Sequence, residues 1–248
     1  MQKIREKIYI EAGIFGDKST KKDAFFFPVL DLIPLEFNFG FKCLESFGIC
    51  FTSKHAVDFF LLKFKSNIEI TNFFSKCFCI GTVGEQTANY VKEVFPSTLC
   101  KLTDNIIYPK NELGLKSLIQ DLNKIIIENR NIYIFTGLSG KTTQIIFENE
   151  KYVNLKLYSV PVYDTKEIDY NLCVKFLNDI IGEKKISECD LIFSAKSGQV
   201  INTTIKILMS YFGIAIVDNL PASIFFIPWE KSAKKVLNEL KLIDRDIS

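Results

Sequence analysis

The chain has 248 residues, 48% apolar and 24% charged, with 31 basic and 29 acidic side chains and a net charge of +2. That length supports one large domain or two modest ones, each with a real core. The even charge balance excludes a general basic field for nucleic acid, so an anionic ligand would have to be held locally. The 23 Phe residues read as compositional drift without functional meaning.

Short apolar runs alternate with helical periods, the pattern of an α/β chain around a mostly parallel sheet. Strands are expected at 7–10, 25–30, 49–51, 77–80, 132–135, 155–163, 191–193, 214–217 and 224–227. No long apolar run follows the opening Met-Gln-Lys-Ile-Arg-Glu, so no secretory signal is read there. Residues 28–37 and 160–165 are apolar and punctuated by Pro28, Pro34 and Pro161, which places them at strand edges or at crossings between domains. A chain that leaves one domain near 36 and returns near 164 has a discontinuous domain, 1–36 plus 165–248, with 37–164 inserted.

Two stretches share one device, an apolar strand running into a helix through small polar residues. One is Phe51-Thr-Ser-Lys54-His-Ala-Val, the other Phe193-Ser-Ala-Lys196-Ser-Gly. They align with Phe51 on Phe193 and Lys54 on Lys196. A new helix N-terminus presents unpaired N–H groups and partial positive charge, which suits an anion.

Further along, Thr82-Val-Gly-Glu85 reads as a capping box ahead of Ala88, Val91 and Phe95. Leu115, Leu118, Ile119, Leu122, Ile125 and Ile126 form one apolar helical stripe. Ala233, Val236, Leu237, Leu240 and Ile243 form another in the last helix.

Gly137-Leu-Ser-Gly140-Lys141-Thr-Thr follows an apolar strand and looks like a phosphate loop. The first glycine of that motif belongs at 135, which is Phe, so a tight strand-to-helix turn is the better reading. Residues 211–229 are apolar but contain Asp218, Asn219 and two prolines, against a membrane span. The seven cysteines (43, 50, 77, 79, 100, 173 and 189) read as buried reduced thiols of a cytoplasmic protein. His55 is the only histidine, so no zinc site is expected, and at a helix start it reads as a surface or capping residue. Tyr163, on the second proline-punctuated segment, is either a phenol able to donate to a leaving oxygen or an amphipathic cover for a domain junction.

In their order, these segments resemble uroporphyrinogen-III synthases. The matching segments are Phe51-Thr-Ser-Lys-His-Ala-Val57, Val83-Gly-Glu-Gln-Thr87-Ala, Ile134-Phe-Thr-Gly137, Val162-Tyr163-Asp-Thr165 and Ile192-Phe-Ser194-Ala-Lys-Ser197. The resemblance runs from about Pro28 onward. It implies two three-layer, parallel-sheet (flavodoxin-like) α/β domains joined by a two-stranded connector, with substrate held between them.

The implied reaction turns hydroxymethylbilane, a linear tetrapyrrole rich in carboxylates, into uroporphyrinogen III with inversion of the last ring. It implies no cofactor, no metal, and no nucleic-acid or membrane partner. The protein would be a monomer receiving its substrate from hydroxymethylbilane synthase. Tyr163 would help the hydroxyl leave. Thr52, Ser53, Lys54, Thr87, Gly137, Ser139, Ser194, Lys196 and Ser197 would bind substrate.

Two departures stand against this pattern. The first helix after residues 8–16 looks truncated. The second domain's glycine-threonine junction, expected just after 214–217, reads Asp218-Asn-Leu-Pro-Ala222. That second departure favours a rival, a non-catalytic or degenerate binding protein for an organic anion. Another rival is a nucleotide-dependent transferase using Gly140-Lys141-Thr142.

Overall fold

The computed structural model describes residues 5–17, 19, 22–37, 46–128, 130–138, 152, 154–182 and 188–242. The chain forms two compact units, Met1–Leu32 with Lys166–Ser248, and Ile33–Thr165. Strands β2 (Phe25–Pro34) and β6 (Leu155–Glu167) each begin in one unit and end in the other. Both proline-punctuated segments are therefore extended, as proline's fixed φ favours. In the inserted unit Leu35 N–H donates to Val162 O at 3.0 Å; in the other, Ile168 N–H donates to Val29 O at 3.1 Å.

The inserted unit holds β3 (Phe47–Phe51), β4 (Cys77–Thr82), β5 (Arg130–Gly137) and the first part of β6, in the order β4-β3-β5-β6. All three pairings are parallel. Helices α1 (Lys54–Leu61), α2 (Asn67–Phe74) and α3 (Glu85–Val94) cover one face; α5 (Leu115–Ile125) covers the other, and α4 (Cys100–Thr103) is a single turn. With both faces covered, β3 is buried throughout, which is why it reads as an unbroken apolar run. Ile49 and Phe51 point to a core rich in Phe, while Cys50 points to a smaller one with Leu118, Leu122, Ile132 and Ile134.

That Phe-rich core gives the phenylalanines a structural purpose. Phe60 has no exposed surface, and its ring centroid lies 4.7 Å from Phe135, 5.2 Å from Phe51 and 6.0 Å from Phe74. The expected capping box does not form. Thr82 is still in the strand ladder, its N–H bonded to Ile107 O, so Gly84 becomes the N-cap of α3, with no side chain to accept from the first-turn N–H groups.

The discontinuous unit has strand order β2-β1-β7-β8, again all parallel, with β1 at Glu6–Ile14, β7 at Cys189–Ala195 and β8 at Ile224–Pro228. Helices α6 (Tyr170–Ile181), α7 (Gly198–Tyr211) and α8 (Lys231–Glu239) pack Cys173, Leu177, Ile201, Leu208, Ala233 and Leu237 into its core. Gly198 opens α7 because a Cβ there would lie 2.9 Å from the Ser232 carbonyl oxygen of α8. Between β1 and β2 the described residues carry turns and no helix.

The strand expected at 214–217 is absent. The place beside β7 is taken by β8, Leu191 pairing with Ile224, and residues 214–217 lie in the α7–β8 connection, ending in a 3-10 turn at Val217–Asn219. Ile243 of the last stripe lies outside the described residues.

Candidate functional site

In open parallel sheets, ligands bind outside the carboxyl ends of the strands, where strand order reverses. In the inserted unit the chain starts at β3, adds β4 on one side, then returns to add β5 on the other, so that reversal lies between β3 and β5. Ser53 follows β3; Gly137 ends β5 and Leu138 follows it.

Tyr163 reaches the same place through an irregular pairing. Along β5 and β6, Thr136 faces Pro161 but Gly137 faces Tyr163, so Val162 is an extra residue. A bulge of this kind turns the following side chain. The Tyr163 ring then lies on Gly137, where a Cβ would approach it to 2.8 Å. Phe59 stacks on it at 5.4 Å and 28°, and His55 meets it edge-on at 6.3 Å. Leu138 N–H donates to Tyr163 O at 2.8 Å, fixing the backbone. The phenol oxygen stands 3.3 Å from Ser53 Oγ, which also caps α1 by accepting from Ala56 N–H at 3.0 Å.

The neighbouring candidates differ in availability. Thr52 sends both its N–H (3.1 Å) and its hydroxyl (3.2 Å) to Phe135 O. Lys54 is exposed, its Nζ 5.4 Å from the Tyr90 ring centroid, and no carboxylate among the described residues pairs with it. Tyr90 donates to Asp58, and that bond pushes its phenol up to about 12. Thr87 is buried on the first turn of α3, next to N–H groups that the glycine cap leaves free. Ser139 and Lys141, with the turn expected there, lie outside the described residues.

In the discontinuous unit, Ser197 caps α7, accepting from Val200 N–H at 3.2 Å. Ser194 is buried within β7 and turns its hydroxyl to Ile10 O at 3.4 Å. Lys196 lies 4.0 Å from the buried carboxylate of Glu11 and 5.4 Å from the Trp229 ring.

The two strand-to-helix turns are therefore related differently from the expected alignment. The caps are Ser53 and Ser197, so Phe51 corresponds to Ala195, and Lys54 to Gly198. Lys196 precedes its helix whereas Lys54 opens one. The apolar runs matched by composition, but β7 continues two residues past Phe193.

Replacing Ser197 by Ala should cost about 1 kcal/mol, and by Gly only a few tenths, because glycine tolerates the cap conformation. Urea denaturation of the two variants measures the difference.

The Asp218 departure also changes meaning. Residues 218–222 connect α7 to β8 and end no strand; the turn after β8 reads Pro228-Trp-Glu230-Lys, with Glu230 as cap. Sequence reading missed Phe59, Glu11 and Trp229, and set His55 aside. The spacing of His55 and Phe59, four apart on one helix, places both on the face that meets Tyr163. Among the described residues no group of three His, Cys, Asp or Glu is placed to hold a metal, and no helix is long and apolar enough to cross a membrane.

The fold is a mixed α/β one, mostly parallel, and it has relatives of known structure. Uroporphyrinogen-III synthetase from Helicobacter pylori matches with a TM-score of 0.57 at 13% identity, over 95% of this chain and 90% of that one. Uroporphyrinogen III synthase from Thermus thermophilus matches at 12% identity over 95% and 89%, with a TM-score of 0.41, too low to build on. No curated protein sequence matches the chain. The family model for uroporphyrinogen-III synthase HemD matches residues 21–210, well over half of it. The chain belongs to the uroporphyrinogen-III synthase family, the cyclising lyases of tetrapyrrole and haem biosynthesis.

Proposed function

We propose that this protein closes hydroxymethylbilane to uroporphyrinogen III with Tyr163 as the acid that assists loss of the terminal hydroxyl. The observation that carries the assignment is the phenol held at the strand-order reversal, 3.3 Å from Ser53 Oγ. As the C–O bond breaks, the pyrrole nitrogen's electrons move in to form an azafulvenium cation, the N-protonated azafulvene. The phenol proton passes to the departing oxygen, so water leaves and a phenolate remains. The last ring then attacks that cation with its already substituted α-carbon to give a spiro intermediate. The bond from that carbon to its old methylene bridge breaks to give a second azafulvenium, and the free α-carbon closes on it, so the ring is inverted and its α-proton returns to the phenolate.

Because the substrate ionises readily, most of the protein's contribution is positioning, which can supply several kcal/mol. Thr52, Lys54, Thr87, Gly137 and Ser139 of the inserted unit, with Ser194, Lys196 and Ser197 of the other, are the proposed substrate contacts, and Ser53 sits beside the phenol. Lys54 fits a carboxylate best, being exposed and free of acidic partners among the described residues. The reading includes two flavodoxin-like domains, 1–36 plus 165–248 and 37–164, joined by a two-stranded connector. It also places a monomer in the cytoplasm, supplied by hydroxymethylbilane synthase.

The test is to supply freshly generated hydroxymethylbilane, oxidise the products and separate the uroporphyrin isomers. Isomer III should dominate. Isomer I alone, the product of spontaneous closure, would overturn the reading.

A further inference from the structure

Ser53 has one hydroxyl proton and two acceptor positions, and one acceptor position is filled by Ala56 N–H at 3.0 Å. Its other neighbour is the Tyr163 phenol oxygen at 3.3 Å, with the direction of that bond left open by the atoms alone. The surroundings select one direction. Ala56 N–H belongs to the first turn of α1, the positive end of that helix, so its donation polarises the seryl O–H outward. The ring cannot swing away, because Phe59 covers one side and Gly137 leaves no space for even a methyl group.

We propose that Ser53 is a positioning residue that acts through Tyr163, donating its proton to the phenol oxygen and leaving the phenol proton free for the substrate's hydroxyl. The chain of bonds runs from Ala56 N–H to Ser53 O–H to Tyr163 O–H to the leaving oxygen. Each member donates once in the same sense, and the phenolate left by proton transfer keeps a donor pointed at it. This deepens the Tyr163 assignment and rests on it. At 3.3 Å the seryl–phenol pair is longer than the usual hydroxyl bond of about 2.8 Å, as catalytic bonds often are before substrate binds.

Ser53→Gly separates this role from capping, because glycine caps nearly as well as serine but has no hydroxyl. The variant should melt close to wild type while kcat falls about tenfold, the scale of one hydrogen bond to a developing charge. KM should change less than twofold. Ser53→Thr keeps both cap and proton and should recover most of the rate. Ser53→Asp caps but cannot donate, and should be slow even if the glycine variant folds poorly.

In a Tyr163→Phe background Ser53→Gly should have no further effect. Equal losses in both backgrounds, or a rise in KM alone, would show that Ser53 serves the substrate directly and would overturn the proposal. A slow Tyr163→Phe beside a full-rate Ser53→Gly overturns this inference alone. A full-rate Tyr163→Phe overturns the acid assignment and this inference together.

Discussion

Tyr163→Phe should lower kcat by about a hundredfold, at the lower end of what a positioned acid contributes, while leaving KM near wild type. The protein should stay folded, because the stacking on Phe59 and the contact with Gly137 involve the ring and not the oxygen. Only the 3.3 Å contact with Ser53 is lost, a matter of about 1 kcal/mol at most. The measurement is single-turnover closure of hydroxymethylbilane, with isomers separated at each time. As the enzymatic step slows, spontaneous closure competes, so the share of isomer I should rise. Unchanged turnover would remove the phenol from the mechanism and leave positioning as the whole of catalysis.

Phe60→Ala should destabilise the protein by about 3–5 kcal/mol, the range for truncating a buried aromatic side chain. Phe60 is fully buried, and rings from β3, α2, β5 and the residue after α3 surround it: Phe51, Phe73, Phe74, Phe135 and Phe95. Rings on separate rigid elements cannot all move inward, so much of the cavity persists. Urea denaturation gives the loss as a shift in midpoint at constant slope. A loss under 1 kcal/mol would mean that the cluster collapses around the gap and is looser than its geometry implies. Since α1 carries Ser53, His55 and Phe59, the same variant should also lose activity more steeply with temperature than the wild type.

The sequence was most legible where burial is two-sided. β3 is buried at every position, so its apolar run announced a central strand; α5 has one buried face, so Leu115, Leu118, Ile119 and Leu122 announced a helix. Legibility failed where identity depends on a partner. Residues 214–217 are as apolar as a strand, yet only one place beside β7 exists and Ile224 fills it. Thr82 fits a capping box, but its N–H was already engaged by Ile107.

At the site, Tyr163 and Ser53 were both singled out, while their juxtaposition was not. It depends on the extra residue Val162, which no local pattern marks, since a bulge is a property of two paired strands. The two-residue offset between the strand-to-helix turns was hidden for a similar reason. Matching Phe, hydroxyl and Lys residues suggested equivalence, but strand length decides where each helix begins.

The long-range pairing of β1 has a consequence during synthesis. Ile10 and Ser194 meet across 184 positions, and β1's buried residues Ile8 and Ile10 pair with Leu191 and Phe193 of β7. At about 5–20 residues per second, β1 leaves the ribosome roughly ten to forty seconds before β7 exists. The contiguous unit Ile33–Thr165 can fold in that interval, although it is translated second. Until then the buried residues of β1 and β2 lack the later strand and helices that cover them, so a stalled ribosome leaves both segments with apolar surface uncovered.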